Sequence, residues 1–341
     1  MNEMQENLVK VKQIIDSASS IVIIQADNPD ADSLGSALAI EQILGSLGKN
    51  TSLYCGVDMP SYLRYMKGWD RVAKELPKSF DASIIVDAST MTLLEKISAS
   101  GEVSWLATKP CIVLDHHEIV ENPVYFSQVT INDGTISSTG ELIYMIAKDL
   151  DWDINHSGLE FIMSSILGDT QGLSNSLATS QTYRVMAEMI DNGVSRPEIE
   201  EMRRELSKMP QSIYRYKADL INKTEFDDSG RVAIVVVGQE EISTFSPLYN
   251  PAPLIQADLL QVEAVEVAIV LKSYDSGKVT GAIRTNPSTP VAAMLADHFG
   301  GGGHKNASGF KIEHCHDFSK LKSDVLSTAL KLITELKNES I

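Results

Sequence analysis

The chain is poor in cysteine. Cys55, Cys111 and Cys315 are odd in number, widely spaced and include no C-x-x-C pair, which argues against a disulfide framework and fits a reducing, cytoplasmic location. It also lacks long hydrophobic runs. The N-terminal stretch MNEMQENLVKVKQIID alternates polar and apolar residues at helical spacing without a signal peptide's apolar core, and no later stretch has the length of a membrane span. A soluble, unprocessed chain with no membrane partner is expected. Positive charge is scarce too: 29 Lys and Arg stand against 46 Asp and Glu, a net charge of −17. Such a surface repels a long polyphosphate backbone, so a broad basic face for extended nucleic acid is disfavoured, whereas a short anionic substrate at a local metal site is compatible. No internal repeat and no low-complexity tract is present. What remains is 341 residues, 43% hydrophobic and 22% charged, enough for two domains with proper cores.

In the first half, short β-rich runs alternate with helical patterns: SIVIIQ, SLGSALAIEQILGSLG, TSLYCG, ASIIVDA, CIVLDHH and SSTGELIYMIAKDL. This predicts an α/β domain with a largely parallel sheet. From about Leu159 to Lys223 the pattern is helical, and VSRPEIEEMRRELSKMPQS reads as a partly helical connector. The β runs then resume in RVAIVVVG, AVEVAIVLKSY and KVTGAIRTN, followed by a glycine-rich stretch and a final amphipathic helix. The expected organisation is a catalytic domain over 1–192, a helical connector over 193–224 and a smaller α/β domain over 225–341.

The three most apolar runs of the first half each end in groups that bind cations. SIVII leads to Asp27, Asp30 and Asp32, SIIV to Asp87, and CIVL to Asp115, His116 and His117. In a parallel sheet the carboxyl ends of strands share one edge, where open α/β folds hold their ligands. A helix cap or a turn would explain any one of these aspartates. Their joint placement at three strand ends is what points to a site. Gathering several carboxylates without a cation raises their pKa values, and a divalent metal removes that cost. Asp30, Asp32, Asp87 and His116 form an oxygen and nitrogen set suited to manganese or a similar ion. Two such ions sharing a carboxylate would activate water beside a phosphoryl group, which indicates phosphoester hydrolysis.

With these motifs assembled, the chain resembles the DHH phosphoesterase superfamily, in the subgroup with a DHHA1 domain, and is most similar to stand-alone bacterial oligoribonuclease and pAp-phosphatase proteins. The resemblance runs through NPDADSLGS, VDAST, the triplet Asp115-His116-His117, LGDTQG around Asp169, and FGGGGHKNASGF. It implies a Rossmann-like N-terminal DHH domain with a mainly parallel sheet and a C-terminal α/β DHHA1 domain. It implies metal ligands at Asp30, Asp32, Asp87, His116 and Asp169, with Asp87 bridging two Mn²⁺ ions and His117 orienting the site or meeting the phosphate. Arg284, the glycine loop with Gly301, Gly302 and Gly303, and His304 would then bind substrate. Short oligoribonucleotides, pApA, pGpG or pAp are the implied substrates, and a homodimer is compatible with the resemblance. A cyclic dinucleotide phosphodiesterase and a metal-degenerate nucleotide-binding protein are the alternatives.

Two departures from the family pattern stand out. A histidine usually lies four residues before the first paired aspartate, and here that position is Ala26, so one metal site is expected to be weaker unless Asp27 reaches it. Leu173 occupies a position where relatives often have an aromatic residue. Of the remaining candidates, His314-Cys315-His316 reads as a surface turn, Tyr62, Tyr65 and Trp69 as helix packing, and Arg203-Arg204 as a solvated connector face.

Overall fold

The structure is a computed structural model that describes residues 3–117, 122–246 and 249–339. The chain divides into two compact units, Met1–Lys208 and Met209–Ile341. The division falls inside the span 193–224 expected as a connector, and each unit takes one helix from that span.

The first unit runs α1 (Glu3–Ser17), β1 (Ser20–Ile24), α2 (Ala31–Ser46), β2 (Asn50–Tyr54), β3 (Ala82–Val86), α3 (Glu95–Ser100), α4 (Val103–Leu106), β4 (Cys111–Asp115), β5 (Val129–Asn132), α5 (Thr139–Asp149), α6 (His156–Asp169), α7 (Ser180–Asp191) and α8 (Arg196–Ser207). Its five strands are all parallel, in the order β2-β1-β3-β4-β5. Alternation sends Ile21, Ile23, Ile84 and Ile112 to the face covered by α1, α2, α5 and α6. Val22, Ile24, Ile85 and Val113 go to the face covered by Phe80, Leu94, Ile97 and Leu106. Burial on both faces explains why these strands read as unbroken apolar runs. From β1 the chain moves outward to β2 and then returns to the other side as β3. The strand order therefore reverses between β1 and β3, and the loops after those two strands flank the crevice where α/β sheets bind ligands.

Close packing of α2 on α6 depends on glycine. A Cβ at Gly35 would lie 2.7 Å from the Phe161 carbonyl oxygen and 3.1 Å from Ser165 Cβ. The bare backbone lets the start of α2 meet the end of α6, which carry Asp32 and Asp169 respectively.

The second unit comprises α9 (Gln211–Asn222), β6 (Glu225–Phe226), β7 (Val232–Val237), α10 (Gln239–Phe245), α11 (Pro251–Leu259), β8 (Val267–Ser273), β9 (Val279–Thr285), α12 (Ala292–His298), β10 (Gly302–His304), β11 (Ala307–Ile312) and α13 (Phe318–Glu339). Its sheet, β10-β11-β9-β8-β7-β6, is mixed, with β7 and β8 parallel and the other pairs antiparallel. One face packs Ile234, Ile269 and Ile283 against α12 and α13. The other packs Val235, Ala268 and Val270 against α9 and α11. Among the described residues no helix is long and apolar enough to cross a membrane.

Candidate active site

Asp30 is the N-cap of α2. Its Oδ1 accepts from the Ser33 amide at 3.0 Å, and Ser33 Oγ accepts from the Asp30 amide at 3.3 Å. The capping role and the site are thus compatible, because the cap stands at the rim of the acid cluster. Desolvation, followed by the charges of Asp32 and Asp169, pushes the Asp30 carboxyl pKa up to about 6.

Asp32 is fully buried and held by four donors: Ser165 Oγ at 2.6 Å, the Thr139 amide at 2.8 Å, Ser36 Oγ at 2.9 Å and the Gly140 amide at 3.2 Å. The two amides open α5, so its N-terminus points at the carboxylate. Asp87 follows β3 with φ of 57°, a left-handed conformation that aspartate tolerates better than most residues. Its carboxyl is buried and receives the Thr139 hydroxyl at 3.3 Å. Burial first, then the charges of Asp32, Asp30, Asp169 and Asp115, raise its pKa well above the ordinary range.

His116 Nδ1 lies 3.3 Å from the Ile136 carbonyl, which orients the ring as that carbonyl's donor. The opposite nitrogen, Nε2, is buried among carboxylates, 2.9 Å from Asp169, 3.5 Å from Asp32 and 3.9 Å from Asp87. Burial works against its protonation, but Asp169 and Asp32 outweigh burial and bring its pKa up to about 9. Asp169 ends α6, and burial leads the causes that raise its own pKa. His117 is half-exposed, and its Nδ1 lies 2.6 Å from Asp115 Oδ1.

Two groups of ligand atoms converge: Asp32 with His116 and Asp169, and Asp87 with His116 and His117, each within 4.8 Å. The chemistry of this donor set fits a divalent cation. Buried carboxylates that repel one another gain from a cation, and such an ion would take the place of the proton on His116 Nε2, the nitrogen facing Asp32, Asp87 and Asp169.

Of the metal positions expected from sequence, Asp32, Asp87, His116 and Asp169 meet in these groups, while Asp30 stands at the rim. Ala26 is buried in the core on one face of the sheet. Asp27 joins neither group of ligand atoms. Its Oδ2 accepts the Lys96 amide at 2.7 Å, at the start of α3, while its Oδ1 is buried without a hydrogen-bond partner.

In the second unit Arg284 lies on β9 and His304 on β10, both exposed. Arg284 pairs with Ala307 of β11, and Ala307 pairs with His304. The two cationic or imidazole side chains therefore share one cross-strand row with a methyl group between them, roughly 9.5 Å apart by strand spacing. The glycines form an edge strand and its approach, not an open loop. A Cβ at Gly301 would lie 2.2 Å from the Gly309 carbonyl oxygen, and Gly303 has φ of 138°. Gly302 faces open space. Asn306 secures the hairpin, with Nδ2 donating to Thr285 Oγ1 and the Asn286 carbonyl, each at 2.9 Å.

His314, Cys315 and His316 lie between β11 and α13, and no metal-ligand group of three forms there among the described residues. The run SYLRYMKGW is not one helix: it holds a 3₁₀ turn at Ser61–Leu63, and a second, Trp69–Arg71, begins after Gly68, whose φ is 104°. Tyr65 and Trp69 pack on the first core as expected, but Tyr62 is exposed. Arg203 and Arg204, expected on a solvated face, line a cavity with Asp30, Asp169 and Tyr62. Leu173 packs against the first core.

Sequence reasoning missed Ser165, Thr139 and Gly140, which hold Asp32, and named Asp115 without its role of holding His117. The pattern Ser138-Thr139-Gly140-Glu141 carries the S-x-x-E signature of a helix start, which offered one available signal.

Residues 20–167 match the DHH family, N-terminal domain. An uncharacterized protein of Mycoplasma pneumoniae, the MG371 homolog, is 25% identical over 325 residues, covering 92% of each chain. The bifunctional oligoribonuclease and PAP phosphatase NrnA of Thermus thermophilus is 25% identical over 84% of this chain and 82% of its own length. The exopolyphosphatase-related protein of Bacteroides fragilis has the same fold, with a TM-score of 0.81 and 22% identity over 99% of this chain and 100% of that one.

Proposed function

We propose, from the premise that residues 20–167 are a DHH-family domain, that this chain is a metal-dependent phosphoesterase acting on short nucleotides. The carrying observation is the convergence of the carboxylates of Asp32, Asp87 and Asp169 on the buried Nε2 of His116, each within 3.9 Å of it. The name of the Thermus relative supports the substrate class. In this reading the substrates are oligoribonucleotides of a few residues, the linear dinucleotides pApA and pGpG, or pAp.

Asp30, Asp32, Asp87, His116 and Asp169 would hold Mn²⁺, two ions at full loading, with the position nearest Ala26 the weaker. When bound, the metal supplies activated water and neutralises charge at the phosphoryl group. The protein's own part is orientation. Four donors fix Asp32, the Ile136 carbonyl fixes His116, and Asp115 fixes His117 so that the imidazole's other nitrogen can meet a phosphoryl oxygen. Arg284 on β9, His304 on the edge strand β10 and the amides of Gly301, Gly302 and Gly303 would take a substrate phosphate.

Substrate length tests the reading. With Mn²⁺ present, mononucleotide release should be fast from pApA and a five-residue RNA and slow from a 30-residue RNA. Equal rates on long RNA would refute the short-substrate assignment. Binding without release under any divalent ion would favour a nucleotide-binding protein, the alternative to which Ala26 lends weight.

A further inference from the structure

A cavity of about 410 Å³ opens beside the acid cluster inside the first unit, lined in part by Asp30, Asp169, Tyr62, Glu200, Arg203 and Arg204. Its volume suits a small organic ligand. Beyond the carboxylates of Asp30 and Asp169, its walls add aromatic and cationic groups. Tyr62 is 58% exposed, which leaves its ring open to a ligand, and its hydroxyl donates to the Pro29 carbonyl at 3.2 Å. That bond ties the ring to the loop that carries Asp30. Helix α8 supplies two guanidinium groups to the lining, in a chain with a large acidic excess. Arg203 is braced by Glu200 at 2.9 Å through one nitrogen, Nη1, and a guanidinium has further donors to offer an anion.

An occupant of this cavity needs a flat face for an aromatic ring, an anionic group for the arginines, and a connection to whatever the acid cluster holds. A nucleoside 5′-monophosphate unit meets all three requirements. We propose that this cavity is a nucleotide subsite, with the base against Tyr62 and the phosphate on Arg203 and Arg204. The inference deepens the phosphoesterase reading and rests on it for the identity of the bound chain. Tyr62 then supplies the aromatic surface that Leu173, packed on the core, does not.

The test is equilibrium titration of the full-length protein with AMP, which reads binding without turnover. Tyr62→Ala should raise the AMP dissociation constant about fivefold or more, the lower end of the value of one base–aromatic stack. Tyr62→Phe keeps the ring and should bind nearly as wild type. A double change, Arg203→Ala with Arg204→Ala, should weaken AMP about tenfold or more and leave adenosine unaffected. Unchanged melting temperatures show that the variants fold. An unchanged AMP constant in Tyr62→Ala or in the double variant, or no AMP binding by the wild type at millimolar concentration, overturns the subsite. If the wild type hydrolyses nothing, the phosphoesterase reading fails, and the AMP titration still decides the subsite by the same criteria.

Discussion

Asp115 Oδ1 lies 2.6 Å from His117 Nδ1 and also accepts the His116 amide at 2.8 Å. A single buried carboxylate thus sets both the ring of His117 and the backbone that carries His116. Its second oxygen accepts the Ser89 amide at 2.8 Å, so the carboxylate itself is anchored. The bond from Asp115 is the leading cause of the raised His117 pKa.

Replacing Asp115 with Asn should therefore lower the His117 pKa, a shift readable by NMR titration of the imidazole. Turnover should fall about ten- to a hundredfold, the usual cost of losing a group that orients the residues of a metal site. An unmoved His117 titration would mean that Asp115 does not control the ring.

Metal binding should stabilise the protein against heat. Mn²⁺ at about 100 times its dissociation constant contributes about 2.7 kcal/mol, and chelation should remove it. Asp87→Asn should abolish the Mn²⁺-induced rise in melting temperature. It should also leave the metal-free protein at least as stable as wild type, because burial and four acidic neighbours already disfavour a charge at this position. Asparagine accepts the left-handed backbone there.

Gly35→Ala should cost about 1–3 kcal/mol, the range for overpacking a close contact. The added methyl would lie 2.7 Å from the Phe161 carbonyl oxygen and would push α2 from α6. Chemical denaturation measures the loss. The Mn²⁺ affinity should fall with it, since Asp32 and Asp169 lie on the two helices being separated.

In the second unit Glu266 joins Arg231 at 2.7 Å, Lys337 at 3.0 Å and the Thr289 hydroxyl at 2.8 Å. Burial alone would raise its pKa, but these partners outweigh burial and lower it to about 2. A depressed carboxyl pKa contributes stability above the unfolded value of 4.5 and loses it as pH falls toward 2. After solvent screening the contribution is about 1 kcal/mol. Acid unfolding of Glu266→Gln should show a correspondingly smaller loss of stability across that window than wild type.

The candidate ligands Asp30, Asp32, Asp87 and His116 were legible because each comes at or soon after the end of an apolar strand that needs no partner knowledge to recognise, whereas Asp169, at the end of α6, came only from the resemblance. SIVII, ASIIV and CIVLD are the sheet centre, and the reversal between β1 and β3 brings their ends together. The supports were not legible. Ser165 and Asp32 are 133 positions apart, and nothing local to either predicts a 2.6 Å bond. Arg203 and Arg204 looked like surface charges because α8 is strongly polar, and their approach to Asp30 is a consequence of tertiary packing. Asp27 was ambiguous for a similar reason, since its partner, the Lys96 amide, is 69 positions away.

The most direct test follows AMP release from pApA by the metal-stripped, full-length protein, before and after addition of Mn²⁺, for wild type and Asp87→Asn. The account predicts release by wild type only after Mn²⁺ is added, and at least about a hundredfold less from Asp87→Asn, in the range of losing a directly engaged catalytic group. Release without any divalent ion, or equal release by the two proteins, would contradict it.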